Sequence, residues 1–476
     1  MVAPDFSGGQ TPPMEAHVTT RSPHHAFFPR AADFKSLTTL AIPVVFSQVG
    51  LMTMGVVSTI MVGRISAANL AAVALGNLYV FALTVFAFGA LTAIEPLVSQ
   101  AVGARDEPAI GRALQRGLAL AAALSVVAML LCIPVEPVLR TLSQPEDVIP
   151  IAKVFVHIET LTIPPFLFFW VLRQTLQAMG HTRPVVMMVV LGNLVNLGLC
   201  FLFVFGHAGD ALRGAPGAAL AAVIARFVML SGLLMVSWRW LGVHLRPIRR
   251  EALAPGPFWN TLRLGAPLGA LQFLEFGIFG TIALLMGRFG TVPVAAHQVA
   301  INLASLTFMV PMGIGAAGGV RVGQAVGAGD AGGARRAAGA ALTLGVSFML
   351  ICAAAFVTVP TLFARIYTND AAVMAMAASL IPIAGVFQVF DGLQVVSIGM
   401  LRGVGDTRAP MIVALIGYWF VGVPVSLWLG YTMGLGPRGL WWGFVAGLAA
   451  VGLTLLTRVV FRLGRTLHRL EVTGHV

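Results

Sequence analysis

The sequence predicts an all-α integral membrane protein with twelve transmembrane helices in two pseudo-symmetric six-helix bundles. Three observations lead there. Hydrophobic residues make up 58% of the chain and charged residues only 10%, against roughly 25% charged in an ordinary soluble domain. Apolar windows of the roughly 20 residues that a bilayer crossing needs recur twelve times along the chain. The second half also repeats motifs of the first.

Taken in order, residues 1–35 are rich in Pro, His, Ser and Thr and contain no apolar h-region. They are predicted to form a mobile cytoplasmic tail rather than a cleaved signal, with His24 and His25 solvated rather than metal-bound. Six spans follow, near 37–63, 70–101, 114–135, 151–179, 184–206 and 214–241, forming an N-lobe over 36–243. The basic stretch "HLRPIRREALAPGPFWN" carries the linker, 244–259. Spans near 260–287, 292–320, 337–363, 372–401, 410–434 and 439–461 make a C-lobe over 260–465, and 466–476 form a cytoplasmic tail. Apolar faces without two-residue alternation favour helices over barrel strands. The 53 glycines, dense in "GIGAAGGVRVGQAVGAG", fit close helix contact in lipid.

The formal charge of +12 does not point to nucleic acid, because the basic residues lie between apolar runs rather than on a polar domain. They orient the chain instead. With the N-terminus inside, 22 of the 30 Lys and Arg residues fall on the cytoplasmic side, seven fall outside, and Arg226 lies within a span. That bias puts both termini in the cytoplasm, and we expect a bacterial inner-membrane protein. Cys132, Cys200 and Cys352 are far apart in apolar runs and read as inert thiols.

"SQAVGARDEPAIGRAL" returns as "GQAVGAGDAGGARRAA", with Gln100 matching Gln324 at an offset of 224. "GHTRP" returns as "GDTRAP", and "MVGR" as "LMGR", at offsets of 225 and 224. An even number of spans in each copy makes the repeats parallel, with an axis along the membrane normal. Two facing bundles imply a central cavity and a transporter.

Positions where the copies differ in chemistry are informative. Glu275 corresponds to Leu51 and Asp391 to Phe166, so the scaffold alone requires neither acid. Each lies roughly 16 to 20 Å along its helix from flanking basic residues, too deep to snorkel. One reading is a structural pair held by hydrogen bonds. The other is a coupling site for H⁺, or for Na⁺ held by the ionised acids. Glu95, which corresponds to Gly319, is a possible secondary acid, with ion pairing an equal alternative. Arg226 is expected to pair with Glu95 or Glu159, His157 to sit at the outer interface, and His297 to be a hydrogen-bonded packing residue. Phe273, Phe276 and Phe279 flank Glu275, and Phe387 and Phe390 flank Asp391. Aromatic faces beside a carboxylate suit a flat organic cation. Phe273, Phe276, Phe387 and Phe390, with Gln272, Gln298 and Asn302, make up the expected cavity lining, although Phe at helical spacing also serves packing.

"LGAPLGALQFLEFGIFG", "VAAHQVAINLASLTFMVPMGIGAAGGVRVGQAVG" and "QVFDGLQVVSIGMLRGVGDTRAPM" resemble the multidrug and toxic compound extrusion (MATE) transporters, NorM-like branch, over residues 36 to 465. The resemblance implies export of cationic, often aromatic compounds in exchange for Na⁺ or H⁺, with Glu275 and Asp391 in the coupling site. Many bacterial members carry an aspartate in a first-helix stretch resembling "VDT"; this chain has Ser58 there, in "VVSTIMVGR". Glu95 occupies a place similar to the acid of "ALETLCGQA"-like stretches in the eukaryotic branch.

The expectation is therefore a monomeric multidrug antiporter, not an enzyme, that needs no cofactor beyond its coupling ion. Its partners are small organic cations and the bilayer. A flippase for lipid-linked saccharides is the alternative, and it would need a cationic cavity where the spans offer acids and Arg226 alone. A membrane-embedded acyltransferase would need a His–Asn or His–Asp pair at one face, which the scattered histidines do not supply.

Overall fold

A capping aspartate marks the start of two helices at equivalent positions in the two halves. In the computed structural model, which describes residues 27–207 and 209–470, Asp106 accepts from the Ala109 N–H at 3.0 Å. Asp330, its equivalent at the 224 offset, accepts from the Gly333 N–H at 2.7 Å. Each satisfies a donor that the first helical turn leaves free.

Among the described residues, twelve helices are long and apolar enough to cross a membrane. They are α1 (Ala31–Gly63), α2 (Ala67–Gly103), α3 (Glu107–Cys132), α4 (Ile149–Ala178), α5 (Arg183–Val204) and α6 (Ala215–Leu245) in the first half. The second half holds α7 (Pro255–Gly287), α8 (Thr291–Gly327), α9 (Ala331–Thr358), α10 (Ala371–Gly403), α11 (Arg408–Thr432) and α12 (Gly436–Gly464). Leu284, Met235 and Ile351 are 79%, 72% and 70% exposed on outward faces, as lipid contact requires.

Several expected boundaries shift for identifiable reasons. The capped turns start α3 and α9 about two turns before their apolar windows. Helix α1 begins at Ala31, where the Arg30 N–H donates to Asp33 at 2.8 Å, so residues 31–35 are helical rather than part of a mobile tail. Residues 1–26, with His24 and His25, lie outside the described residues. The ninth span stops at Thr358 instead of running to 363, because Pro360 starts a separate short helix, Pro360–Tyr367.

Three spans are internally irregular. Helix α2 breaks at Thr92, whose hydroxyl donates back to the Gly89 carbonyl at 2.6 Å. Helix α4 contains a 3₁₀ turn, Thr160–Thr162, ahead of Pro164 and Pro165. Helix α11 widens into π-helix over Leu415–Gly422 and Trp428–Thr432.

Buried side chains form two apolar clusters. One runs from Met54 to Leu241. The other runs from Leu271 to Leu463 and also takes in Leu37, Leu40 and Ala41 from the start of α1. The halves meet reciprocally: a methyl group at Gly103 would collide with the Gln324 carbonyl, and one at Gly327 with the Gln100 carbonyl. Both pairs are related by the 224 offset, so the contact is the self-complementary interface of a pseudo-two-fold axis.

Even numbers of spans bring the start of α1, the end of α12 and the linker to one end of the bundle, and there the halves are sealed together. Gln100 donates to the Gly403 carbonyl at 2.8 Å and Gln324 to the Ala178 carbonyl at 2.9 Å. Residues 466–470, at the start of the expected C-terminal tail, cross back to the first half. Arg469 meets Asp106 at 2.7 Å, and the Leu470 N–H donates to Gln100 at 2.7 Å. The linker is pinned too, since Gln115 on α3 donates to the His244 and Pro247 carbonyls.

Candidate cation site and interlobe cavity

Glu275 lies near the middle of α7, partly buried, at the meeting point of three second-half helices. Its Oε1 accepts from the Gln394 amide of α10 at 2.5 Å. The Tyr418 hydroxyl of α11 donates to Gln394 Oε1 at 2.5 Å and stands 3.4 Å from Glu275. A phenol has one proton to give, so the shorter contact takes it and Tyr418 orients the amide that holds the acid. Tyr418 sits in the first π-helical stretch of α11, and single-turn π-bulges are frequent at functional sites.

Asp391 precedes Gln394 by three residues on the same face of α10, is 8% exposed, and lies in Coulombic range of Glu275. A turn earlier, the Gln388 side-chain oxygen accepts from the Thr307 hydroxyl of α8 at 2.6 Å. Among the described residues, neither Glu275 nor Asp391 forms a salt bridge. Two acids held near each other without a basic partner leave room for a proton or a small cation to bind. No group of three His, Cys, Asp or Glu side chains among the described residues has metal-site geometry.

Glu275 also lines a cavity of about 150 Å³ between the halves, whose wall includes Gln48, Glu95, Arg173, Gln174, Gln272 and Arg402. Glu95 is 1% exposed and accepts from Arg402 of α10 at 2.9 and 3.2 Å. Its carboxylate stands over Gly319, its own repeat equivalent, where a side chain would crowd it. A second cavity of about 560 Å³ lies within the first half, lined by Ser58, Asn77, Phe81, Phe166, Glu159 and Arg226 among others.

A family model described as MatE matches residues 43–202 and 267–428. The chain belongs to the MatE family. Among curated relatives of this MatE protein, one named probable multidrug resistance protein NorM, from Xanthomonas axonopodis pv. citri (strain 306), is 35% identical over 86% of this chain and 90% of its own length. Multidrug resistance protein MdtK from Edwardsiella ictaluri (strain 93-146) is 32% identical over 85% of this chain and 89% of its own. The crystal structure of the eukaryotic MATE transporter AtDTX14 superposes with a TM-score of 0.83 at 22% identity, covering 91% of this chain and 98% of that one. A structure described as the outward-facing conformation of a multidrug resistance MATE family transporter gives 0.80 at 19% identity, covering 94% and 98%. These two likenesses concern the fold.

The expected lining of this MatE chain scatters. Gln272 is on the interlobe cavity wall. Phe276 stacks edge-on against Phe81 of α2 at 5.4 Å, across the halves. Phe387, 1% exposed, is held among Phe279, Trp441 and Phe444 as core packing, and Phe390 packs against the same cluster. Phe273 is 53% exposed, and Gln298 is exposed with its amide spent on Asn302 at 3.2 Å. Arg226 pairs with Glu159 at 3.8 Å rather than with Glu95. His297 is buried beside Trp441, yet its Nδ1 has no hydrogen bond. Ser58 takes a hydrogen bond from Asn196 at 3.1 Å. His157 is exposed, Cys132 and Cys200 are buried, and Cys352 is partly buried.

Sequence reasoning missed Gln394, Tyr418, Arg173 and Arg402. Gln394 carried a signal in its three-residue spacing from Asp391, which shares a helix face. Tyr418 is one of only four tyrosines and sits inside an apolar span.

Proposed function

We propose that the chain is a secondary active exporter of organic, often aromatic cations, moving them by antiport with Na⁺ or H⁺ through alternating access. The observation that carries the reading is Glu275: an acid without a salt bridge, held by Gln394 and Tyr418, beside Asp391 and on the wall of the cavity between the halves. The multidrug names of relatives at 32 to 35% identity support the cargo class. In the cycle, ionised Glu275 and Asp391 hold the cationic cargo, and an ion arriving from outside neutralises them and releases it outward.

The lobes are taken as 36–243 and 260–465, and the sealed end as the cytoplasmic one in a bacterial inner membrane. Charge counting over the loops supports that orientation. The protein is taken to work as a monomer. The membrane potential supplies about 2.3 kcal/mol per charge per 100 mV, enough for about a fortyfold gradient of a neutral solute. A monovalent cation exchanged one for one gains only the ion's chemical gradient.

The flippase reading is weaker on charge. Arg173 and Arg402 do face the cavity, contrary to the expectation of Arg226 alone, but Glu95 and Glu275 offset them. A pyrophosphate would meet no net positive charge. The acyltransferase reading ends with the family. Dye movement in inverted vesicles, with a Na⁺ or a pH gradient imposed separately, tests the proposal. Uptake driven by one of the two gradients is expected, and uptake indifferent to both would overturn it.

A further inference from the structure

Arg173 of α4 takes no part in the cation cluster. It is 2% exposed and lines the interlobe cavity. Its Nη2 donates to Gln48 at 2.6 Å, and its guanidinium lies 4.5 Å from the centre of the Trp170 ring. Nε and Nη1 have no hydrogen-bond partner. The acid nearest in charge, Glu95, gives one oxygen to both hydrogen bonds from Arg402. A buried guanidinium with idle donors is costly unless something completes it.

We propose that Arg173 anchors a carboxylate on the transported molecule, so that the exporter accepts zwitterionic aromatic cargo with its acid on Arg173 and its cationic end on Glu275. This rests on the export reading above. A guanidinium fork matches a carboxylate in two parallel hydrogen bonds, and Gln174 and Gln272 on the same wall offer further polar contact. With Arg173, Arg402, Glu95 and Glu275 ionised, the wall is formally neutral and suits a molecule of zero net charge. A plain cation would satisfy Glu275 and leave Arg173 unmatched. The cavity, about 150 Å³, is smaller than the roughly 300–1,000 Å³ of a drug-sized pocket. In this conformation it admits charged ends, not bulk.

A matched dye pair tests the assignment: rhodamine 110, with a free carboxylate, and rhodamine 123, its methyl ester. In vesicles under both ion gradients, the full-length protein is expected to move both. Arg173→Gln should lower the ratio of carboxylate-dye to ester-dye transport about thirtyfold, the loss of a charge-assisted pair. Arg173→Lys, which keeps the charge and loses the fork, should lower it about fivefold. A ratio within threefold of the parent in Arg173→Gln overturns the inference. If that variant does not accumulate, Arg173→Lys decides alone, and an unchanged ratio there overturns it equally. A parent protein that moves only the ester dye removes this inference and spares the export reading. One that moves neither dye removes both.

Discussion

Glu275 in the second half answers to Leu51 in the first, Asp391 to Phe166, Gln394 to Phe169 and Tyr418 to Asn193, at offsets of 224 and 225. The first half also buries an acid within a span, but pairs it: Glu159 faces Arg226 at 3.8 Å, with the guanidinium 4.5 Å from the Phe166 ring centre. On its first helix it has the neutral Ser58, bonded to Asn196. One scaffold thus holds acid against base on one side and acid against amide and phenol on the other. An acid balanced by arginine has its counter-charge already. An acid held by neutral donors can still take one from a proton, a sodium ion or a cargo, and the proposed placement of coupling in the second half rests on this difference.

The largest expected effect tests that location. Glu275→Gln and Asp391→Asn should each reduce dye efflux to the level of cells lacking the transporter, with normal amounts of protein in the membrane. Removing the first-half pair together, as Glu159→Gln with Arg226→Gln, leaves no charge unpaired and should keep efflux within about threefold of the parent. Normal efflux by both second-half variants, or equal loss from the first-half double variant, breaks the comparison.

Tyr418→Phe sharpens it. The variant keeps the ring and removes the hydroxyl that orients Gln394. Losing one buried hydrogen bond of about 1–1.5 kcal/mol should lower efflux about tenfold, less than losing the acid itself. An effect as large as that of Glu275→Gln would mean that the phenol, not the carboxylate, carries the ion.

Symmetry should hold where the halves meet, even though their chemistry differs. Gly103→Val and Gly327→Val press against equivalent carbonyls, those of Gln324 and Gln100. Overpacking of this kind costs about 1–3 kcal/mol. Both variants are expected to lower the thermal midpoint in detergent by similar amounts. A shift more than twice as large in one as in the other would show that the two contacts are not equivalent.

How much of this was readable beforehand depended on the kind of signal. Apolar windows and the 224 offset announced twelve spans and a two-fold arrangement, because both are properties of residue order. Helix ends were misjudged where charged residues enter the first two turns, as Arg112 and Arg335 do, since hydropathy excludes them while a capping aspartate includes them. Glu275 and Asp391 stood out as charge within hydrocarbon. Gln394 and Tyr418 did not, being neutral. Arg173 lies five residues before the end of α4, so loop counting assigned it to the surface, whereas the fold turns it inward. The partner of Glu95 is 307 residues away on the other half, and no local pattern announces it. Helical spacing placed Phe273 and Phe387 near the acids but not on a particular face; one is exposed and the other is core.

The smallest expected effect concerns the seal between the halves outside the spans. Burial pushes the Asp106 carboxyl up, and the hydrogen bonds from Arg469 and the Ala109 N–H, with the charges of Arg469 and Arg112, outweigh it and hold the group below the usual carboxylate range. A carboxyl lowered on folding contributes stability above its unfolded value and loses it as pH falls through the folded one. The Arg469 contact should therefore persist from neutral pH down through the ordinary carboxylate range and release only in stronger acid. Both side chains are about one-third exposed, and a pair of that kind is worth about 0.2–1 kcal/mol. Arg469→Ala should accordingly raise protease cleavage after residue 464 two- to fivefold at neutral pH, with little added effect in strong acid, where Asp106 is already neutral. An Arg469→Ala variant cleaved like the parent at neutral pH, or to an extent that did not change as pH fell, would instead assign the tie to the Leu470–Gln100 bond, which carries no charge to titrate.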